Sequence, residues 1–77
     1  MHALVKQFGE SVRRHRQRRG WSQEQLAEAA ELDRTYVSGI ERGTRNPTLS
    51  TMGRIADALG VTVIELLQDA LAQGSAT

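Results

Sequence analysis

Apolar residues in the N-terminal part of the chain recur at the spacing of an amphipathic helix. Steps of four, four and three positions connect Leu4, Phe8, Val12 and His15. These steps place all four on one side of a helix, which we predict to be the buried side of a first helix over residues 3–19. Gly20 is a natural C-terminal cap, and the arginines between the apolar positions are expected to point outward. We expect His15 to be a hydrogen-bonded core residue rather than a metal ligand, because a zinc site needs three or four ligands.

The segment SQEQ has the form of an N-terminal capping box and begins a second helical pattern. Ser22 caps the helix while Gln25, three positions on, reaches back to it. A narrow inner face of small residues lets another helix approach closely: Leu26, Ala27 and Ala30. A three-residue turn is predicted next, in which Leu32 contacts the core and Asp33 caps a third helix. Two short helices joined in this way are typical of a helix-turn-helix.

The third helix, predicted over residues 34–42, has an outer face suited to base edges and phosphates. Val37 and Ile40 lie three positions apart and must face inward. The outer face then holds Arg34, Thr35, Ser38, Gly39 and Arg42, with Tyr36 at the flank. Arg34 can pair with a guanine through two hydrogen bonds, and Arg34 and Thr35 lie at the helix end that enters a major groove. Gly39 costs about 1 kcal/mol relative to alanine, which indicates a close approach there, unless this is a surface helix that merely tolerates a glycine.

Two further helices complete an all-α fold, a compact bundle of five helices. Thr48 caps the fourth helix, Gly60 ends it, and its predicted core positions are Leu49, Met52, Ile55, Ala56 and Leu59. Thr62 and Glu65 form a second capping box, which begins the fifth helix. That helix has more apolar positions than one small core can bury, so Leu66 is predicted inside and a dimer interface is predicted at Ile64, Leu67 and Leu71. The alternative is an amphipathic helix that only closes its own domain.

Length and composition limit the chain to one domain. Its 77 residues are predicted to be ordered over about 3–71, with a flexible tail over 72–77. The absence of cysteine removes disulfides, thiol catalysis and the common zinc sites, and it is compatible with the cytoplasm, where we expect the protein. No apolar run approaches the roughly 20 residues of a membrane span, so no membrane partner is expected.

The net charge of +1 is unevenly distributed. The first helix carries Lys6, Arg13, Arg14, Arg16, Arg18 and Arg19. After Arg54 the charged residues are all acidic: Asp57, Glu65 and Asp69. A basic N-terminal half indicates a surface for a polyanion, although a solvated helix face rich in arginine is the alternative.

The run SQEQLAEAAELDRTYVSGIERG resembles the Cro and lambda-repressor type of helix-turn-helix, the XRE family. The run DRTYVSGIERGTRNPTL is especially similar to the controller proteins of restriction-modification systems, and the resemblance extends from Phe8 to about Leu67. It implies base reading by Arg34, Thr35, Tyr36, Ser38 and Gly39. It implies backbone contacts from Arg16, Gln23, Arg42, Arg45 and Asn46. It also implies an ion pair between Glu41 and Arg16, which would brace the third helix.

Two residues depart from the pattern of this family. His15 stands where leucine or isoleucine is usual, and Gly53 stands within the fourth helix where a better helix former is usual. Both departures concern local stability and leave the implied function unchanged.

The function predicted from these features is regulation of transcription through sequence-specific binding to double-stranded DNA. A homodimer would place two third helices in successive major grooves of a near-palindromic operator. An antitoxin or a protein-interaction adaptor built on the same fold is the alternative. An enzyme is not expected, because the acidic residues are scattered over caps and exposed faces. No cofactor, metal or small-molecule ligand is expected.

Overall fold

Five α-helices and no strand form residues 2–75, the part of the chain that this computed structural model describes. In chain order they are α1 (His2–Arg18), α2 (Gln23–Ala30), α3 (Arg34–Arg42), α4 (Leu49–Leu59) and α5 (Val63–Ser75). The predicted all-α fold is confirmed, and the predicted bounds of α3 agree with the structure. Of the predicted tail, residues 72–75 belong to α5, and residues 76 and 77 lie outside the described residues.

Side-chain caps determine where the helices begin. Ser22 Oγ accepts a hydrogen bond from the Gln25 backbone at 3.1 Å, and the Gln25 side chain accepts one from the Ser22 backbone at 2.7 Å. Thr62 and Glu65 make the same reciprocal pair at 3.0 and 2.8 Å. Both predicted capping boxes are therefore confirmed, and so are the single caps by Asp33 and Thr48.

Residues with a left-handed backbone conformation determine where three of the helices end. Gly43 and Gly60 have φ of 77° and 73° and donate their N–H groups back to α3 and α4. The end of α2 is different, because Glu31 takes this conformation with φ of 58°. Among the described residues, Glu31 is the one non-glycine residue with positive φ. A side chain at such a position costs roughly 1 kcal/mol, so the turn between α2 and α3 is locally strained.

The hydrophobic core lies where α1 packs against α3 and α5, with α4 closing it on another side. Its largest fully buried side chains are Leu26, Ile40, Ile55, Leu66, Val12 and Val37. Phe8 and Leu59 extend this cluster, and Leu32 packs against its edge from the turn, as predicted. The core therefore fixes α3 from behind and leaves its opposite side free.

Polar contacts join α1 to α5. Ser11 Oγ is fully buried and donates to the Leu66 carbonyl at 2.8 Å. Arg14 donates to Asp69 Oδ2 from Nη2 at 2.8 Å and from Nε at 3.1 Å. Burial alone would raise the pKa of Asp69, but the hydrogen bond from Arg14 and the nearby charges outweigh burial and lower it. His15 Nδ1 donates to the Ser11 carbonyl at 2.8 Å, which confirms a hydrogen-bonded, partly buried histidine.

The buried side of α1 is wider than the apolar spacing predicted. Leu4 is 42% exposed, so its predicted place in the core is wrong. The arginines do not all point outward, since Arg14 and Arg16 turn toward α5 and α3 and are partly buried. The reason is that α1 packs against two helices at once, which buries an arc broad enough to include polar positions.

A glycine contact sets the distance between α1 and α3. A Cβ atom at Gly9 would lie 2.0 Å from the Ile40 carbonyl oxygen and 3.0 Å from that of Glu41. Both atoms belong to the α3 backbone, so the two helices approach each other as closely as a residue without a side chain allows. By contrast, a Cβ atom at Gly53 in α4 would meet nothing within 4 Å.

On α4, the predicted core position Leu49 is also wrong. Leu49 is 70% exposed because it lies in the first turn of the helix, beyond the edge of the core. Ile55, Ala56 and Leu59 are buried as predicted, and Met52 packs against them partly buried.

Candidate nucleic-acid interface

The outer face of α3 presents polar side chains at the N-terminal end of the helix. Arg34 and Thr35 are exposed in its first turn, and Tyr36 is partly buried beside them. The Asp33 cap accepts the Thr35 backbone N–H at 2.7 Å and so fixes where this turn begins. Arg34 and Thr35 therefore project from the helix end that, in a helix-turn-helix, is best suited to enter the major groove of DNA.

The C-terminal half of α3 adds a second exposed cation. Arg42 is exposed and donates from Nη1 to the hydroxyl of Ser38, which is partly buried. The two side chains lie one helical turn apart, so this contact holds the guanidinium along the outer face. Ser38 and Arg42 thus continue the polar outer face of α3 toward its C-terminal end.

Gly39 does not lie on the outer surface, which corrects the prediction that it faces outward. It is buried, and a Cβ atom placed on it would come within 2.5 Å of Arg45 Cγ. The close approach that the glycine indicated is real, but the approaching group is an arginine of the same chain. Arg45 itself remains exposed.

The loop after α3 folds back onto Gly39. The Gly39 carbonyl oxygen accepts the N–H groups of Thr44 at 2.9 Å and Arg45 at 3.2 Å. It also accepts the Thr44 hydroxyl at 3.2 Å. The Arg45 guanidinium carbon lies 5.5 Å from the centroid of the Tyr36 ring, within the range of a cation–π interaction. These contacts place Arg45 against α3, while Asn46, next in the loop, is exposed.

An ion pair braces α3 against α1, as the family resemblance implied. Arg16 donates from Nε to Glu41 Oε2 at 2.7 Å and from Nη2 to Oε1 at 3.0 Å. The Glu41 side chain is 3% exposed and that of Arg16 is 12% exposed. The hydrogen bond to Glu41 raises the pKa of Arg16 above its ordinary value. The Glu41 carboxyl group thus points into the protein and is not part of the outer face of α3.

Two more groups complete this brace. Arg16 Nη1 donates to the Trp21 carbonyl at 2.7 Å, and Gln23 Nε2 donates to Glu41 Oε1 at 3.1 Å. Gln23, which the resemblance assigned to a phosphate contact, is therefore partly buried and held by α3. Arg16 is likewise engaged within the protein, so a phosphate contact by either side chain stays a prediction.

An open groove of about 620 Å³ lies beside the brace, between α1 and the end of α3. Its rim includes cations that the sequence-based site did not contain, namely Lys6 and Arg13 of α1. Glu10 is the acidic member of the same wall, and Arg42 and Thr44 stand opposite. The concentration of basic residues on α1 was the signal for these positions, but their side of the helix follows from packing.

The predicted dimer residues of α5 divide into two kinds. Ile64 and Leu71 are 66% and 56% exposed, as an interface outside the domain core requires. Leu67 is partly buried against the core, where it lines a small apolar groove with Leu4 and Pro47. Among the described residues, Leu4 and Leu49 are further large apolar side chains that are exposed. The role of Ile64, Leu67 and Leu71 as an interface stays a prediction.

Other kinds of site leave little trace in residues 2–75. Within this range no helix is both long and apolar enough to cross a membrane. Nor do three or more histidine, aspartate or glutamate side chains of these residues form a group that would hold a metal ion.

Comparisons with known proteins agree with this geometry. The helix-turn-helix family model matches residues 12–66. A hypothetical transcription factor from Neisseria meningitidis is 49% identical over 57 residues, which cover 74% of this chain and 54% of that protein. The control protein C.BamHI of Bacillus amyloliquefaciens is 49% identical over 61 residues, covering 78% of this chain and 75% of the relative.

One of the similar solved structures is a complex of a protein with DNA. The controller protein C.Esp1396I, crystallised as a tetramer with its natural 35 base-pair operator, is 36% identical and matches with a TM-score of 0.79. The match covers 88% of this chain and 95% of that one. The likeness therefore includes both the sequence and the arrangement of the helices.

Proposed function

The chain belongs to the helix-turn-helix family, and from this membership we propose that it regulates transcription by binding a near-palindromic operator in double-stranded DNA as a homodimer. The observation that carries the proposal is the outer face of α3. Arg34 and Thr35 are exposed at the N-terminal end of a helix whose other side is fixed by the core and by the Arg16–Glu41 pair. A rigid helix with exposed hydrogen-bonding groups at its tip is what reading of base edges requires.

In this mechanism α3 lies in the major groove and the surrounding cations hold the phosphates. Arg34 and Thr35 read base edges, and Tyr36 and Ser38 contact bases or phosphates from the flank. Arg42, Arg45 and Asn46 hold the backbone, together with Lys6 and Arg13 on the rim of the α1–α3 groove. Two copies related by a twofold axis place their α3 helices about 34 Å apart, or a multiple of that distance, along the duplex.

The relatives favour a controller role of the restriction-modification type over that of a phage-type repressor. They include several control proteins, and the operator-bound neighbour carries that description. An antitoxin or adaptor would use helix faces other than α3 and would not need its polar tip. We propose a cytoplasmic location, because the operator must be accessible, and a non-catalytic role, because the family consists of DNA-binding regulators rather than enzymes.

Selection of bound duplexes from a random pool tests this function directly. We expect a family of sites with twofold symmetry, and an affinity that falls steeply as salt concentration rises, because bound phosphates release counterions. A pool that shows no enrichment, together with binding that salt leaves unchanged, would remove the DNA-binding proposal.

Arg34→Ala tests the assignment of base reading. The change should weaken binding to the selected duplex by roughly 1 to 3 kcal/mol and relax the base preference at one position of each half-site. Titration of selected and scrambled duplexes measures both effects. Arg18→Ala is the matched control, because Arg18 is an exposed arginine of α1 one helical turn after Arg14, which faces α5 and not α3. Equal losses on both duplexes for Arg34→Ala would show that Arg34 contacts only the backbone.

Leu71→Glu tests the predicted dimer surface on α5. Because Leu71 is 56% exposed, a charge there should leave the fold intact and disrupt only an apolar contact between copies. We expect sedimentation to give the monomer mass. Gln68→Glu, an exposed position of the same helix, adds the same charge and should remain a dimer. If Leu49→Glu produces the monomer while Leu71→Glu does not, the interface lies on α4 instead.

A further inference from the structure

Arg45 is attached to α3 by contacts that depend on the absence of a side chain at Gly39. The nearest atom to a Cβ placed on Gly39 is Arg45 Cγ at 2.5 Å, and Cβ of Arg45 follows at 3.4 Å. These atoms form the base of the arginine side chain, not its mobile end. An alanine at position 39 therefore cannot coexist with the present course of Arg45.

Backbone hydrogen bonds also hold Arg45 against Gly39. The Gly39 carbonyl accepts N–H groups from both Thr44 and Arg45, which fixes the Cα of Arg45 close to α3. With the start of the side chain held in this way, its path runs back along the helix toward the first turn. The guanidinium then lies 5.5 Å from the ring centroid of Tyr36, a residue of that first turn.

We propose that Gly39 is a positioning residue that holds the Arg45 side chain along α3. A cation from the following loop then acts at the N-terminal end of α3. The proposal rests on the proposed DNA-binding function and deepens it. Arg45 then belongs with Arg34 and Thr35 rather than with the loop that carries it. Gly39 itself contributes no contact to DNA, since it is buried beneath the arginine.

A double-mutant cycle tests this coupling on the duplex selected by the wild-type protein. Arg45→Ala and Gly39→Ala should each weaken binding about tenfold. The double variant should also lose about tenfold rather than a hundredfold, because both changes remove the same contact. Gly53→Ala is the matched control: it makes the same chemical change inside another helix, where a Cβ meets nothing within 4 Å, and should bind like the wild type.

A proton NMR measurement reads the position of Arg45 without DNA. In the wild type, stacking over Tyr36 should shift the Arg45 δ protons upfield through the ring current. Tyr36→Leu should remove the shift, and Gly39→Ala should remove it with the aromatic ring still present. The absence of an upfield shift in the wild type would overturn the proposal even if the Gly39 variant failed to fold.

The remaining outcomes distinguish a failure of the DNA-binding function from a failure of the positioning role of Gly39. If the wild type selects no duplex, the proposed function fails and the binding role of Arg45 fails with it, whatever the NMR result. If the wild type binds and Arg45→Ala weakens binding, but Gly39→Ala binds normally or adds its loss independently, DNA binding stands and the positioning role of Gly39 is wrong.

Discussion

Arg16→Ala is expected to lower the free energy of unfolding by about 3 to 5 kcal/mol, the loss typical of a buried ion pair that loses one partner. The Glu41 carboxyl group, 3% exposed, would be left with the Gln23 amide, 3.1 Å away, as its remaining side-chain partner. The Trp21 carbonyl would lose its donor as well. For a domain of 77 residues, whose whole stability is about 4 to 12 kcal/mol, this loss leaves a marginal fold.

Denaturant titration measures this effect, and two further variants identify its origin. Arg16→Lys keeps the charge but cannot reproduce the two parallel hydrogen bonds, so it should fall between the wild type and Arg16→Ala. The double variant Arg16→Met with Glu41→Leu removes both charges and should recover much of the stability lost in Arg16→Ala. A loss below about 1 kcal/mol for Arg16→Ala would mean that the pair behaves as a surface salt bridge.

Gly9→Ala is expected to destabilise the fold by about 3 kcal/mol, the upper part of the range for forcing atoms into a packed interior. The added methyl group would lie 2.0 Å from the Ile40 carbonyl oxygen, so α1 and α3 must move apart. That movement also stretches the Arg16–Glu41 pair, which joins the same two helices. The variant should therefore lose both the packing of α1 against α3 and the Arg16–Glu41 ion pair that braces α3.

Thermal and denaturant unfolding of Gly9→Ala and Gly53→Ala provide the comparison. Gly53→Ala should be neutral or more stable by up to about 1 kcal/mol, because alanine is the better helix former and the space is open. A change of less than about 0.5 kcal/mol in Gly9→Ala would show that α1 and α3 adjust their distance without cost. The two glycines are both inside helices, so only their surroundings distinguish them.

Local chemistry accounts for the parts of the structure that the sequence predicted well. The capping pairs Ser22–Gln25 and Thr62–Glu65 act over three residues, and the structure contains both. The bounds of α3 follow from Asp33 before the helix and Gly43 after it. Such signals involve a backbone and a side chain that are neighbours in the chain, so no knowledge of the tertiary fold is needed to interpret them.

The predictions of burial are wrong where the burial of a side chain depends on how many neighbouring helices pack against its helix. Leu4 and Leu49 have apolar spacing but lie at helix ends, beyond the reach of the core. Arg14 and Arg16 lie between apolar positions, yet each finds a carboxylate on a different neighbouring helix. A helical period identifies the centre of a buried face, but the width of that face is set by the partners.

For the candidate site, the resemblance supplied the Arg16–Glu41 pair and the residues of α3, whereas the roles of glycine had to come from the structure. The sequence indicates a close approach at Gly39, whereas Gly9 is not singled out from the sequence. It does not say that Gly9 faces the α3 backbone and Gly39 faces Arg45. These are contacts across 31 and 6 positions, which depend on the packing of α1 and on the path of the loop.

The hydrogen bond from Ser11 to the Leu66 carbonyl joins two parts of the chain that a ribosome makes at different times. Its partners are 55 residues apart, and at the usual pace of a ribosome that interval takes roughly 3 to 11 s. α3 ends at Arg42, so its backbone is complete roughly 1 to 5 s before Leu66 is added. The contacts that join α1 to α3 can therefore form before the contact that joins α1 to α5, because both of their partners precede α5 in the chain.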